Sequence, residues 1–240
     1  MSKKINYIGR TWKFDDTVAA NFDNHVLQSI PHYADLQKYL VQLSEWFLKE
    51  NCIIYDLGCS TGETINQILK LKITTNFKII GIDNSKKMLE LAKKKISKKK
   101  NNKRNYNIKF TKFNLENEFK FKKSNLIYSI LLFPFLSFEK KKKLLKNIFC
   151  SLNNEGALIC VDKIRSKSSF FEDILNQLYF DFKLSKNLTE REILQKAKSL
   201  RSSMYLWNEK DTLKYLKLAG FKKVEIFFKC FNFLGYIAVK

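Results

Sequence analysis

The sequence predicts an α/β fold: a mostly parallel sheet with helices between its strands, closed at the C-terminus by an antiparallel hairpin. Three observations predict it. Short apolar runs that end in turn residues alternate with segments of helical spacing across residues 53–162. The last two apolar runs, 223–230 and 233–239, are separated by two or three residues, and so short a link cannot cross over a parallel sheet. The 240 residues are 45% hydrophobic and 14% aromatic, with only seven glycines and two prolines, which suits one packed domain spanning residues 1–240.

The elements follow in order. Residues 1–50 read as a mainly helical N-terminal cap over a ligand. Residues 53–60 (IIYDLGCS) are a first strand ending in a glycine turn, and 61–71 continue with helical spacing at Ile65, Ile68 and Leu69. Residues 77–84 (FKIIGIDN) are a second strand, after which Ser85 is placed to cap a helix over 86–96. Residues 108–115 alternate as a third strand and 126–132 form a buried fourth. A helix over 138–152 turns Leu144, Leu145 and Ile148 inward, and 156–162 (GALICVD) are a fifth strand. Residues 165–207 read as a helical insertion. A helix over 210–219 stops at Gly220, ahead of the hairpin.

Forty-five basic residues stand against 23 acidic ones, a formal net charge of +22. Only Arg10, Arg104, Arg165, Arg191 and Arg201 are arginines; the other 40 are lysines. Arginine forks onto phosphates and base edges, whereas lysine is a solvated point charge. The lysine blocks 93–95, 98–100 and 140–143 therefore read as solvated basic surface, and specific nucleic-acid binding is not expected. An A+T-rich coding sequence would also yield this Lys-, Asn-, Ile- and Phe-rich composition. No stretch approaches the roughly 18 to 20 apolar residues that a membrane span needs. The basic N-terminus lacks an apolar segment behind it, so no secretory signal is expected, and the chain reads as soluble and cytoplasmic. Cys52, Cys59, Cys150, Cys160 and Cys230 are widely spaced with no C-x-x-C pair. They read as free thiols, and with only His25 and His32 to help, no metal site is expected.

The most specific local signal is YDLGCSTGE, residues 55–63. An acidic residue near the strand end, Gly58, and Gly62 opening a helix let backbone approach an adenosyl ligand closely. The second strand ends in Asp83, able to accept hydrogen bonds from both ribose hydroxyls, with Asn84 beside it on the adenine side. The dinucleotide run G-x-G-x-x-G is absent, since Ser60 holds the middle position. S-adenosyl-L-methionine is thus the expected ligand. The D/N-P-P-Y motif of N-methyltransferases is missing, and no nucleophile–base pair is visible. Methyl transfer needs little beyond positioning, so neither absence argues against an enzyme.

The parallel sheet with its C-terminal hairpin is the layout of the Rossmann-like class I methyltransferases. Within that class, WKFDDTVAANF (residues 12–22), SIPHY (29–33), YDLGCSTG, IIGIDNS and KCFNF (229–233) closely resemble the carboxy-S-adenosyl-L-methionine synthase family. FDFK (180–183) and the E-I-x-Q-K pattern at 192–196 match the helical insertion of that family. The resemblance implies a transferase that converts S-adenosyl-L-methionine and prephenate to carboxy-S-adenosyl-L-methionine and phenylpyruvate. The route passes through a sulfonium ylide that captures the carbon dioxide lost by prephenate, in a closed and dry site. It further implies a homodimer, and a product passed to a tRNA carboxymethyltransferase that acts on the wobble uridine to give 5-oxyacetyluridine.

Carried over by position, the implied cofactor contacts are Tyr33, the turn Gly58, Cys59 and Ser60, Asp83 with Asn84, and Asn114 with Leu115. Tyr33 could instead be a plain core aromatic. Asn114 stands where the family has aspartate, keeping an acceptor for the adenine amino group. Two positions depart further. Ile130 replaces a family asparagine, and Ala197 replaces the arginine that holds the additional carboxylate. Arg201, four residues on and expected on the same helical face, is the tentative replacement, with Lys198 as the other candidate. Two other readings remain: a methyltransferase acting on a small molecule, and a catalytically weak protein that binds tRNA through its lysines.

Overall fold

A computed structural model describes residues 16–71, 75–97, 107–201 and 203–240, with side chains from residue 21 onward. The first part of the WKFDD motif lies outside the described residues, as do Arg10, Arg104 and the lysines 98–100. The chain order is α1 (Asp16–Ser29), α2 (Tyr33–Ser44), β1 (Cys52–Leu57), α3 (Glu63–Ile68), β2 (Phe77–Asp83), α4 (Lys86–Ser97), β3 (Asn107–Lys112), β4 (Ser124–Ile130), α5 (Phe138–Ser151), β5 (Leu152–Lys163), α6 (Ser169–Ser185), α7 (Glu190–Ser199), α8 (Glu209–Ala219), β6 (Lys223–Cys230) and β7 (Phe233–Val239).

The strands form one seven-stranded sheet in the order β3-β2-β1-β4-β5-β7-β6. The first five pair in parallel, and β7 runs antiparallel between β5 and β6. The predicted sheet and hairpin are thus present. Phe231 and Asn232 alone join β6 to β7, with Phe231 at a φ of 47°. Period-two alternation sorts the strand side chains onto two faces. Ile54, Ile79, Leu126, Tyr128 and Ile159 pack with Leu36 and Leu40 of α2, Ile65 and Ile68 of α3, and Leu89 of α4. Tyr55, Ile80, Ile127, Leu158 and Tyr236 pack on the opposite face, with Leu144, Leu145 and Ile148 of α5 and Leu216 of α8.

Local signals explain most element ends. Met88 N–H donates to Ser85 Oγ at 3.3 Å, the side-chain cap expected for α4. Thr189 and Glu192 form a reciprocal capping box at the start of α7. One helix is shorter than its spacing predicts: α3 occupies only Glu63–Ile68, because Thr61 and Gly62 belong to the turn, Gly62 with a φ of 76°. The insertion consists of two helices, α6 and α7.

Strand order reverses beside β1, whose neighbours β2 and β4 lie on opposite sides. Ligands of open α/β sheets bind in the crevice at the carboxyl ends of the strands at such a switch point. That crevice holds a cavity of about 360 Å³.

Candidate active site

A cavity of about 360 Å³ opens over the ends of β1, β2 and β4, and α1, α6 and α7 contribute to its walls. Its floor is the turn after β1. Gly58, at a φ of 69°, and Cys59 both donate their N–H groups to Ile82 O, at 2.8 and 2.9 Å. A Cβ on Gly58 would lie 3.3 Å from the Leu132 side chain, so glycine is needed for both conformation and space. Gly62 does a different job from the one its motif suggests. It does not line the cavity, and a Cβ there would meet Ala92 Cβ of α4 at 3.1 Å. Its missing side chain lets α3 start against α4 and only indirectly shapes the ligand turn.

Asp83 ends β2 with its carboxylate held by backbone. Oδ2 accepts from Ser60 N–H at 2.9 Å and Oδ1 from Ser85 N–H at 2.8 Å. Burial raises its pKa while these N–H groups oppose the rise. Each oxygen retains lone-pair capacity toward the cavity. Asp56, at the end of β1, faces the same space. Desolvation first, and the Asp83 charge second, push it up to about 7. Its Oδ2 is buried and makes no hydrogen bond among the described residues. An orphaned buried acceptor beside a second carboxylate suits a ligand that brings positive charge and donors. Asn114 and Leu115 follow β3 on the same wall, where Asn114 Oδ1 accepts from Glu116 N–H at 3.1 Å.

The roof comes from the N-terminal helices. Phe22, His25, Val26 and Ser29 of α1 line the cavity with Tyr33, the first residue of α2. Tyr33 Oη accepts from Gln37 Nε2 at 3.0 Å, and burial raises its pKa far above the usual phenol value. Lys95 of α4 fastens α1 down. Its Nζ lies 2.7 Å from Asp23 Oδ2, 3.0 Å from Glu63 Oε2 and 3.2 Å from Thr61 Oγ1. This lysine, from a block expected to be solvated, joins three elements. Tyr179 of α6 closes the insertion side, donating to Ser29 O at 2.8 Å.

All eight sequence-derived contact residues, Tyr33, Gly58, Cys59, Ser60, Asp83, Asn84, Asn114 and Leu115, line this cavity. Ile130 lines it as well. Arg201 does not, and its expected position is corrected. Helix α7 ends at Ser199 and the chain turns at Leu200, so Arg201 does not continue the helical face that carries Ala197. It is exposed, as is Lys198. Cationic groups reach the cavity from elsewhere: Lys163 at the end of β5 and Lys196 of α7. Lys196 Nζ is hydrogen-bonded to His25 Nε2 and donates to Ser29 Oγ at 3.2 Å. Asp56 is the acidic residue of the glycine-turn motif and Lys196 closes the E-I-x-Q-K pattern, but sequence reading gives neither a direct ligand contact, and it assigns no role to Lys163 or Tyr179. A polar residue at the carboxyl end of a parallel strand is the available signal for Asp56 and Lys163. Nothing local marks Tyr179, and Lys196 is marked only by the E-I-x-Q-K pattern at 192–196.

Among the described residues no group of three His, Cys, Asp or Glu side chains could hold a metal ion, and no helix is long and apolar enough to cross a membrane. Residues 48–220 match a methyltransferase-domain family. The plantazolicin methyltransferase BpumL, solved with SAH, superposes with a TM-score of 0.63 at 19% identity, covering 95% of this chain and 91% of that one. A carboxy-S-adenosyl-L-methionine synthase of Staphylococcus epidermidis is 35% identical over 237 residues, 98% of this chain and 100% of its own. Its namesake in Sulfurimonas denitrificans is 32% identical over 237 residues, 97% of this chain and 96% of its own. Similarity of that extent, running through both the glycine turn and the helical insertion, makes this chain a member of the carboxy-S-adenosyl-L-methionine synthase family within the methyltransferase-domain proteins.

Proposed function

We propose that this enzyme converts S-adenosyl-L-methionine and prephenate to carboxy-S-adenosyl-L-methionine, phenylpyruvate and water, the water formed from the hydroxide that leaves prephenate and the proton that leaves the sulfonium methyl. The observation that carries the reading is the end-to-end similarity to synthases of that name, which includes the insertion that walls the cavity. The site's chemistry supports it. The free lone pairs of Asp83 accept from the ribose hydroxyls, and Asn84, Asn114 and Leu115 flank the adenine. Asp56 accepts from the methionine ammonium and places negative charge near the sulfonium. Phe22, Val26, Ile130 and Phe233 give the space an apolar lining that excludes water. Water exclusion protects a reactive carbon centre from protonation. None of these roles requires a side-chain nucleophile.

The product is passed to a tRNA carboxymethyltransferase in the cytoplasm, and the enzyme itself reads no nucleic acid. It acts as a homodimer, for which Phe170, Ile174 and Leu178, exposed along one stripe of α6, are the contact face. Incubation with S-adenosyl-L-methionine and prephenate, followed by mass spectrometry, should reveal a carboxylated sulfonium and phenylpyruvate in equal amounts. Intact cofactor binding without either product would refute the reading. One observation favours a second reading, a methyltransferase acting on a small molecule: apolar Ile130 lines the cavity where the resemblance places an asparagine. That enzyme would release S-adenosylhomocysteine in the presence of its acceptor and no carboxylated product.

A further inference from the structure

A smaller cavity, about 80 Å³, adjoins the main one and shares His25, Lys163, Tyr179, Lys196 and Leu200 with it. Three lysines from three elements line it: Lys163 of β5, Lys183 of α6 and Lys196 of α7. Tyr179 organises two of them, for Lys163 Nζ lies 4.8 Å and Lys183 Nζ 4.2 Å from its ring centre. The ring is fixed in turn by its hydroxyl bond to Ser29 O. The third ammonium is anchored by His25 and Ser29. Two carboxylates stand close, each hydrogen-bonded at the start of its own helix, and the charge of Glu172 also acts on Lys163. Glu172 Oε2 accepts from Ser166 N–H at 2.6 Å, and Glu192 Oε2 accepts from Thr189 N–H at 2.9 Å. Among the described residues neither Lys163 nor Lys183 forms an ion pair.

Like charges gathered in a desolvated place oppose one another, and an entering anion relieves the opposition. Ala197 lines the same small cavity, and its methyl side chain leaves the space open. We propose that Lys163, Lys183 and Lys196 form the carboxylate-binding subsite of this enzyme, receiving a carboxylate of the carboxyl donor or of the carboxylated product. The proposal rests on the reading above for the identity of those ligands. The cationic pocket itself rests on the geometry alone.

A proton accompanies the anion. Desolvation, then Lys183 and Lys163, hold Lys196 down to about 7, and desolvation with Lys196 holds His25 at about 3. The groups facing Lys196 are His25 and Ser29 from α1, Lys163 from β5, Lys183 and Tyr179 from α6, and Glu192 from its own helix. A bound carboxylate raises the pKa of Lys196, so binding above neutral pH takes up a proton and weakens as pH rises.

The test is calorimetric titration of the whole chain with S-adenosyl-L-methionine, carboxy-S-adenosyl-L-methionine, prephenate and, as a plain carboxylate probe, malonate. Lys163→Met, Lys183→Met, Lys196→Met and Lys196→Arg are compared with the parent. The methionine carboxylate common to both sulfonium ligands cancels in their ratio. Each Met variant should weaken the carboxylated ligands by about 30-fold or more while holding S-adenosyl-L-methionine within about twofold, and Lys196→Arg should retain most affinity. A loss confined to prephenate assigns the subsite to the donor, and one confined to the carboxylated sulfonium assigns it to the product. If malonate binding depends on the lysines but no carboxylated product ever forms, the subsite stands and the proposed activity falls. If the folded Met variants bind every carboxylate as tightly as the parent, or if none binds the parent, the proposal is overturned. NMR titration of the lysine ε-carbons in the unmutated protein tests the subsite without a variant: malonate should raise the pKa of Lys196, and an unmoved titration overturns the subsite.

Discussion

At the residue scale the two ends of the cavity carry opposite charge, and each end has a measurable consequence. Asp83 already accepts one backbone N–H on each oxygen, so its geometry is set before a ligand arrives. Asp83→Ala removes two charge-assisted acceptors worth roughly 1.5 to 3 kcal/mol each. Affinity for S-adenosyl-L-methionine should drop by at least about 100-fold in a folded protein. Unchanged affinity by calorimetry would remove Asp83 from the ligand pocket. At the cationic end, the pKa of Lys196 is about 7 in the fold, against an ordinary lysine value of 10.5. The depressed pKa means that folding disfavours the charged form. That cost is fully present below pH 7 and vanishes as pH rises through 10.5. Lys196→Met should therefore be more stable than the parent at about pH 6 to 7, with the gap closing toward about pH 10. Urea unfolding at several pH values checks this, and a gap that stays constant would contradict the burial of that charge.

At the scale of elements, α1, α6 and α7 differ from the other helices in what they bury. Helices α2 to α5 and α8 seal the two faces of the sheet, whereas α6 has no buried residue at all despite its apolar composition. Phe170 and Phe171 are 66% and 57% exposed, and Ile174 and Leu178 are exposed as well. Residues 170, 174 and 178 fall four apart, along one stripe of the helix. Burial of each such side chain in the proposed homodimer is worth roughly 1.5 to 3 kcal/mol. The double variant Phe170→Glu with Ile174→Glu should weaken self-association by about 100-fold or more, read by sedimentation velocity. A dimer that survives the double substitution would place the interface on another surface. The helical insertion is legible in the sequence, but its two outlets are not. One side gives Tyr179, Lys183 and Lys196 to the cavities, and the other keeps its apolar stripe on the outside.

For the whole molecule, the net charge of +22 separates into groups with different fates. Lysines 140–143 read from sequence as one solvated block, yet Lys141 is buried. Its Nζ donates to Tyr205 O and lies 4.8 Å from the Trp207 ring. Burial lowers its pKa to about 8, partly offset by Asp162. Lys95 is engaged in the ion pairs that hold α1, and Lys163, Lys183 and Lys196 face inward. Among the described residues most of the rest is exposed or half-exposed lysine, and such lysine releases counterions on contact with phosphate but reads no base. Bulk tRNA should therefore bind weakly, losing about a thousandfold in affinity between roughly 50 and 200 mM salt, the behaviour of about six phosphate contacts. Sequence-selective binding that persists at about 200 mM would instead support nucleic-acid recognition.

Sequence alone determined the sheet, the hairpin and eight residues that line the main cavity. Those features rest on short-range patterns: alternation along strands, a glycine that must adopt positive φ, an acidic residue at a strand end. Asp83 and Gly58 could be named because each lies within a few residues of the signal that identifies it. The carboxylate end could not be found that way. Lys163, Lys183 and Lys196 share no spacing, and the helical periodicity that points to Arg201 fails where α7 stops at Ser199. Their convergence depends on how the insertion folds back against α1, with Tyr179 bonded to Ser29 across 150 positions of chain. Contacts between elements so far apart leave no local pattern, and only tertiary packing decides which of 40 lysines face inward.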